Sequence, residues 1–145
     1  MANYADNSKA RFDYEILEKL TAGLELLGLE VKAVKSGRMN LTGSYVLIRG
    51  DEAFLTGAEV APYQPKNTPE GYDRARTRKL LLSKSEINRL KIAEQTKGLT
   101  IVPLSVYNKG RYLKLDLAIA RGKKKFDKRQ AIKKRDVERE LKRSL

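Results

Sequence analysis

A chain of 145 residues with 41% hydrophobic content has material for one core, and 31 Lys plus Arg against 18 Asp plus Glu give it a formal charge of +13, which points to a polyanionic partner, nucleic acid before an anionic membrane surface. There is no Cys and no His, which excludes disulfides and thiolate-bound zinc and removes the commonest general base and metal ligand, so neither an enzyme nor a cofactor or metal site is expected. No apolar run, Leu80 to Leu82 included, approaches a membrane span and nothing reads as a signal peptide, so a cytoplasmic protein without membrane contact is expected.

In chain order, Met1 to Asp6 reads as a loose arm, and Asn7 to Tyr14 is polar and basic without a clear period. From Tyr14 to Leu26 the even positions alternate with one break at Glu18, yet Ile16, Leu17, Leu20, Leu24 and Leu27 also make a helical stripe, so periodicity leaves both open. Leu29 to Ser36 reads as a short helix closed by Gly37. Ser44 to Arg49 and Glu52 to Thr56 read as strands joined through Gly50-Asp51 in a type II′ turn, with Val60 to Tyr63 as a further strand. Gln64 to Ala75, with two prolines and a glycine, reads as an exposed loop. Ser83-Lys84-Ser85-Glu86 is a capping box opening a helix anchored by Ile87, Leu90 and Ala93. Leu113, Leu115, Leu117 and Ile119 alternate with Tyr112, Lys114, Asp116 and Ala118, and the partner strand, Leu99 to Tyr107, carries Pro103, which implies an edge or a bulge. The sum is a small α+β or barrel fold, mainly β.

The chain then changes character. From Arg121 onward there are 12 basic and 4 acidic residues, a net of +8, so the first 120 residues carry only +5 of the +13. Few apolar residues lie in this stretch to bury, which divides the chain into a body, 1–120, and a basic tail, 121–145. If the tail is helical, Val137, Leu141 and Leu145 line one stripe, and Glu138 stands at the favourable spacing from Lys142. Such a pair contributes only about 0.3 kcal/mol and short helices are marginal in water, so the helix is expected to need a binding partner.

Several segments follow one another in a familiar order: Asn7-Ser8-Lys9-Ala10-Arg11, Ala22-Gly23, Gly28-Leu29-Glu30-Val31-Lys32 and Asn40-Leu41-Thr42-Gly43-Ser44-Tyr45. After them come Arg76-Thr77-Arg78-Lys79-Leu80-Leu81-Leu82, Val102-Pro103-Leu104 and Gly122-Lys123-Lys124-Lys125-Phe126-Asp127-Lys128-Arg129. Together, over nearly the whole chain, they resemble the SsrA-binding protein (small protein B) family, bacterial partners of transfer-messenger RNA. The resemblance implies an OB-fold-like antiparallel β-barrel with two to three α-helices, and it makes Tyr14 to Leu26 a strand. It implies an RNA-binding adaptor, with no chemistry of its own, that binds the tRNA-like domain of transfer-messenger RNA and delivers it to stalled ribosomes for trans-translation.

The same resemblance implies that Asn7, Lys9, Arg11, Thr21, Gly23, Lys32, Arg76, Arg78, Lys79 and Leu81 meet the RNA. It implies that the tail, through Gly122, Lys123, Lys124, Lys125, Phe126, Asp127, Lys128, Arg129, Ile132, Lys133, Lys134 and Arg135, probes the empty message channel. The tail would be disordered when free and helical in the ribosome. The implied partners are the ribosome, through small-subunit rRNA, the decoding centre and the channel, and, on the same RNA, elongation factor Tu and alanyl-tRNA synthetase. Two positions depart from the family pattern: Thr21 replaces a glutamate and Phe12 a histidine.

Charge and spacing support part of this independently. On a strand, Arg76 and Arg78 would share one face about 7 Å apart, near the spacing of successive phosphates. The tyrosines at 14, 45, 63, 72, 107 and 112 offer stacking platforms, although most tyrosines of this kind are structural. Asp13, Glu15 and Glu18 are better explained as surface charge balance than as a Mg²⁺ site. The rival reading is a structural ribosomal or ribosome-assembly protein with a small barrel and a basic tail; a metal-dependent nuclease stands further off.

Overall fold

The computed structural model describes residues 2–123 and the tail positions 129, 132, 135 and 139. Asn3–Asp6 (β1) leads into a short helix, Ser8–Asp13 (α1), and a long strand, Tyr14–Leu24 (β2). Gly28–Lys35 (α2) and Met39–Asn40 (β3) precede the hairpin Tyr45–Arg49 (β4) and Glu52–Thr56 (β5). Glu59–Val60 (β6), a single 3-10 turn at Pro65–Asn67, Arg78–Leu81 (β7) and Lys84–Gln95 (α3) follow. The body ends in two long strands, Leu99–Lys109 (β8) and Tyr112–Gly122 (β9).

Seven strands form one sheet in the order β1-β8-β9-β2-β7-β5-β4, and every pairing is antiparallel; β3 and β6 pair separately. The sheet curls so that β4 comes beside β8, and α3 packs against both strands. The result is a partly open barrel of the expected OB-like kind, mainly β with three α-helices among the described residues of the body. The Glu94 carboxylate of α3 accepts a hydrogen bond from the Ile48 backbone N–H at 3.0 Å, which satisfies a donor on edge strand β4 that would otherwise offer itself to another chain.

Inside the curl lies one core, with Leu20, Leu55, Leu80, Leu90, Ile101, Leu115 and Leu117 among its buried members. A second, smaller cluster sits on the opposite face of the sheet, where Ala10 of α1 covers Val102, Leu104, Ala118 and Ala120. The small side chains at 118 and 120 let α1 lie close to β9. The two faces are therefore unequal: one is filled core, the other is capped by α1 at one end and open beyond it.

Local chemistry explains the element boundaries. The break in alternation at Glu18 is a bulge in the β2–β9 ladder between Ile16 and Glu18, and Pro103 lies beside a second, between Pro103 and Ser105; an unpaired extra residue shifts the side-chain period by one. Gly50 has φ +60° and, among the described residues, no non-glycine residue has positive φ, so Gly50 alone of the two turn residues is left-handed, as a type II′ turn requires. Ser83 Oγ accepts from Glu86 N, while the Glu86 carboxylate accepts from Ser83 N at 3.0 Å, the reciprocal capping box that the sequence displays.

Three expectations need correction. Asn3 to Asp6 is no loose arm: it pairs with β8 from Tyr107 to Ser105, and the Ala2 N–H is held by the Asn108 side chain at 2.7 Å. The strand expected from Val60 to Tyr63 is only Glu59–Val60, whose partner is Met39–Asn40. The loop from 64 to 75 is not wholly exposed, because the Tyr72 hydroxyl reaches inward to Glu30 Oε2 at 3.0 Å and Val60 O at 3.1 Å.

Candidate nucleic-acid interface

Strand register decides which side chains share the open face. Lys114 and Asp116 have the same parity along β9 as Ala118 and Ala120, so they continue the face that α1 caps. Across the ladders, Lys114 stands opposite Tyr107 of β8 and Gly23 of β2, and Gly23 stands opposite Leu81 of β7. In the adjacent row Asp116 stands opposite Ser105 and Thr21. Lys79 alternates with the buried Arg78 and Leu80 and so lies on the open face; its Nζ is 3.3 Å from the Glu52 carboxylate.

Leu81 is 54% exposed and lies directly over Gly23: a Cβ added at Gly23 would come within 3.2 Å of Leu81 Cβ and 3.3 Å of its Cδ1. The glycine therefore seats an apolar side chain flat on the sheet, flanked by the Lys114 and Lys79 cations. Beside it, Thr21 Oγ1 and the Tyr107 hydroxyl both donate to Asp116 Oδ1, at 2.9 and 2.8 Å. Partial burial and the neighbouring Asp116 carboxylate push the Tyr107 hydroxyl above its ordinary pKa, which keeps it a donor. Cations, a seated apolar residue and fixed polar atoms on one open sheet face can hold phosphates, pack against sugars or bases and hydrogen-bond to base edges or 2′-hydroxyls.

The expected RNA residues do not all lie together. Thr21, Gly23, Lys79 and Leu81 converge on this face. Lys9 and Arg11 are exposed on α1, at the capped end of the same face, where Arg11 pairs with Asp6 at 3.1 Å. Lys32 lies apart, exposed on α2, a helix that packs against β1 and β6.

Two members do not present their side chains at all. Asn7 is buried: its Oδ1 caps α1 by accepting from Ala10 N at 3.3 Å, and its Nδ2 donates to Pro103 O at 2.9 Å. Arg78 is 0% exposed, because Arg78 and Leu80 point into the core while Lys79 and Leu81 point out. The expectation that Arg76 and Arg78 offer paired guanidiniums to a phosphate backbone is therefore corrected. Arg78 donates to Glu30 Oε2 from Nε (2.9 Å) and Nη2 (2.6 Å), and to the carbonyls of Ala58, Arg76 and Arg74, each at 3.0 Å. Arg76, 30% exposed, donates to the same carboxylate, from Nε to Oε2 at 3.0 Å and from Nη2 to Oε1.

Glu30 is the hub of this clasp. It is the N3 residue of α2, and its Oε1 also accepts from the Leu27 N–H at 2.8 Å. Burial opposes its ionisation, but the bonds from Arg76, the Leu27 backbone and Arg78, with the Arg78 charge, outweigh that and hold the carboxyl at about 2. The arginines of the Arg-Thr-Arg-Lys run thus lock β7 to α2, and the run's exposed residues, Lys79 and Leu81, face solvent.

Sequence reasoning missed Lys114 and Asp116, and it offered Tyr107 only as one of six stacking platforms rather than as a hydroxyl bound to Asp116. The alternation from Tyr112 to Ile119 put Lys114 and Asp116 on the outward side of β9, but only the register with β2 and β7 sets them beside Gly23 and Leu81. The acidic trio Asp13, Glu15 and Glu18 does not gather: Glu15 pairs with Arg121 at 3.7 Å and Glu18 with Arg89. Among the described residues no group of three or more such side chains is placed to hold a metal, and no helix is long and apolar enough to cross a membrane.

The family model for SmpB protein matches residues 4–145. The chain belongs to the SmpB protein family. Among similar proteins are the SsrA-binding protein of Chloroflexus aggregans, 49% identical over 145 residues (100% of this chain, 92% of that protein), and that of Gloeobacter violaceus, 48% identical (97% and 91%). The SsrA-binding protein of Mesoplasma florum is 50% identical over 133 residues (92% and 89%). A solved structure of tmRNA–SmpB in the bacterial ribosome superposes with a TM-score of 0.69 at 42% identity, covering 88% of this chain and 92% of that one.

In this SmpB-family chain the residue after β9 is held on α1. Gly122 ends β9, the Lys123 N–H donates to Asp13 O at 2.9 Å, and its Nζ lies 3.4 Å from Arg11 O. Arg129, Ile132, Arg135 and Arg139 are helical and exposed, with Ile132 39% exposed. The Arg135 guanidinium lies 5.5 Å from the centroid of the Phe12 ring, within reach of a cation–π contact. Phe12 thus meets the chain's own tail. Lys124, Lys125, Phe126, Asp127, Lys128, Lys133 and Lys134, and the stripe Val137, Leu141 and Leu145, lie outside the described residues.

Proposed function

We propose that this chain binds transfer-messenger RNA through the open face of its sheet and carries that RNA to stalled ribosomes as an adaptor of trans-translation, without catalysing a reaction itself. The observation that carries this reading is the convergence of Thr21, Gly23, Lys79 and Leu81 with Lys114 and Asp116 on one open face, in a chain whose SsrA-binding relatives align over its whole length. Lys114 and Lys79 would neutralise phosphates, Leu81 would pack against a sugar or base, and the hydroxyls with Asp116 would meet the polar edges of the tRNA-like domain.

The tail supplies the second contact. Anchored through Lys123 beside α1, it would leave the body near Phe12 and enter the vacant message channel of the small subunit through Lys124 to Arg135. There it would complete a helix that reports the absence of message. Its charge density suits a channel walled by rRNA, and binding would bear the cost of ordering it. Elongation factor Tu and alanyl-tRNA synthetase would act on the same RNA, and the cytoplasm is where all these partners meet. Capture of RNA bound to the chain in bacterial cells, followed by sequencing, tests the reading: transfer-messenger RNA should dominate. Recovery of ribosomal RNA alone would refute it in favour of a ribosome-assembly role.

A further inference from the structure

We propose that Asp116 reads a hydrogen-bond donor of the bound RNA, a 2′-hydroxyl or the exocyclic amine of a base; this rests on the RNA-binding reading above. The carboxylate lies on the open face, in the row next to Lys114, Gly23 and Leu81. Hydroxyls from the strands on both sides, Thr21 of β2 and Tyr107 of β8, converge on one of its oxygens, Oδ1. Two donors on one oxygen fix the plane of the group. Its Oδ2 has no hydrogen-bond partner among the described residues, and no cation pairs with it, although Lys114 stands two residues away on the same face.

A negative charge in this place needs a reason. The chain carries +13 and its ligand is a polyanion, so an uncompensated carboxylate on the sheet face that also carries Lys79, Lys114 and Lys19 (which stands opposite Ala118 on β2) weakens any contact made through phosphates. A carboxylate accepts and never donates, and phosphates offer it nothing. RNA does present donors it can accept from, the 2′-hydroxyls along the shallow minor groove and the amines of cytosine, adenine and guanine. A fixed carboxylate oxygen makes the stronger, charge-assisted form of that bond. Lys114 and Lys79 would supply affinity, and Asp116 would discriminate among the RNA surfaces that reach it.

The test is D116N. Asparagine can keep Oδ1 as acceptor for both hydroxyls while an amide NH2, a donor, replaces the second oxygen. If Asp116 reads a donor, affinity for a transcript of the tRNA-like domain falls about tenfold or more, the scale of one charge-assisted hydrogen bond. The salt slope should stay the same, because no phosphate contact is lost. If the carboxylate only braces Thr21 and Tyr107, loss of a repulsive charge leaves binding unchanged or tightens it, and either result overturns the inference. D116E keeps the charge but moves the carboxylate by one methylene, so it too should bind more weakly; unchanged binding by D116E overturns it. Transcripts carrying 2′-deoxyribose, or bases stripped of exocyclic amines, separate the two donor classes. The modification that weakens the unsubstituted chain but not D116N names the donor, and strictly additive effects for every modification overturn the assignment. Failure of the unsubstituted chain to bind the transcript at all is a different outcome: it overturns the RNA-binding reading itself, and Asp116's role with it.

Discussion

Replacing Arg78 with Met separates the buried half of the Arg76–Arg78 pair from any role in RNA contact. Met fills much of the space of the arginine stem but removes every donor. Glu30, itself 0% exposed, would keep Arg76 but lose both Arg78 bonds, and the carbonyls of Ala58, Arg76 and Arg74 would lose theirs. Breaking a buried ion pair from one side costs about 3 to 5 kcal/mol, because the remaining charge stays desolvated. For a domain of this size each kcal/mol lowers Tm by roughly 3 °C, so Arg78→Met should unfold about 10 to 15 °C below the unsubstituted chain. Arg76→Ala, at the solvent end of the clasp, should cost about 1 to 2 kcal/mol, as expected for a partly exposed bond to a charged partner. Thermal unfolding by circular dichroism gives the first quantity. Titration with the tRNA-like domain at 10 °C, below both transitions, gives the second and should show Arg78→Met within about threefold of the unsubstituted chain, since no contact between Arg78 and a ligand is being removed. An Arg78→Met variant that melts normally yet loses binding would refute the buried-clasp assignment and return Arg78 to the RNA surface.

Glu30 gives the same clasp a pH signature: its carboxyl is held at about 2 against an ordinary 4.5, so its stabilisation is fully present above the ordinary value and is lost as pH falls from 4.5 toward about 2. By linkage the loss amounts to about 3 kcal/mol, and Glu30→Gln should destabilise the chain at neutral pH and flatten unfolding free energy across that window. Gly23→Ala forces Leu81 aside by a few tenths of an ångström, so affinity for the tRNA-like domain should fall several-fold while stability changes by less than about 1 kcal/mol. A chain ending at Lys123 keeps all of β9 and the Lys123–Asp13 bond; it should fold and bind the tRNA-like domain normally but fail to support tagging on stalled ribosomes. Ala131→Pro, which costs about 3 kcal/mol in a helix interior, should leave RNA affinity unchanged and impair tagging, and normal tagging by that variant would make the tail a flexible polycation rather than a helical probe.

The sequence made legible whatever depends on short-range chemistry. The Gly50-Asp51 hairpin, the Ser83 capping box and the alternation through Leu117 all formed as their local patterns require. The break at Glu18 was also visible, but its meaning as a bulge needed the partner strand. What stayed hidden depends on which strands become neighbours. Met1 to Asp6 looks unstructured because so short a stretch carries no period, and its residues Asn3 to Asp6 become a strand only because β8 offers them an open edge. Arg78 reads as a surface cation because arginine is seldom fully buried; its partner Glu30 lies 48 residues away, at the start of α2. Asn7 reads as a polar contact residue and is instead a helix cap braced by Pro103, 96 residues along the chain. Lys114 and Asp116 could be placed on the outward side of a strand from sequence, yet their company with Gly23 and Leu81 is a property of register. Resemblance to a family presents the motif around Arg76 to Leu82 as a unit, and only the alternation of burial along β7 separates its buried residues from its exposed ones.

The most direct test of the open sheet face as the RNA interface is the salt dependence of binding by a Lys79→Ala, Lys114→Ala double variant, measured against the tRNA-like domain between 50 and about 200 mM salt. Loss of two phosphate contacts should weaken binding by more than tenfold at the lower salt and reduce the slope of log K against log salt by about 1.4 to 1.8, with Tm unchanged. An affinity and slope equal to those of the unsubstituted chain would place the RNA on some other surface of the molecule.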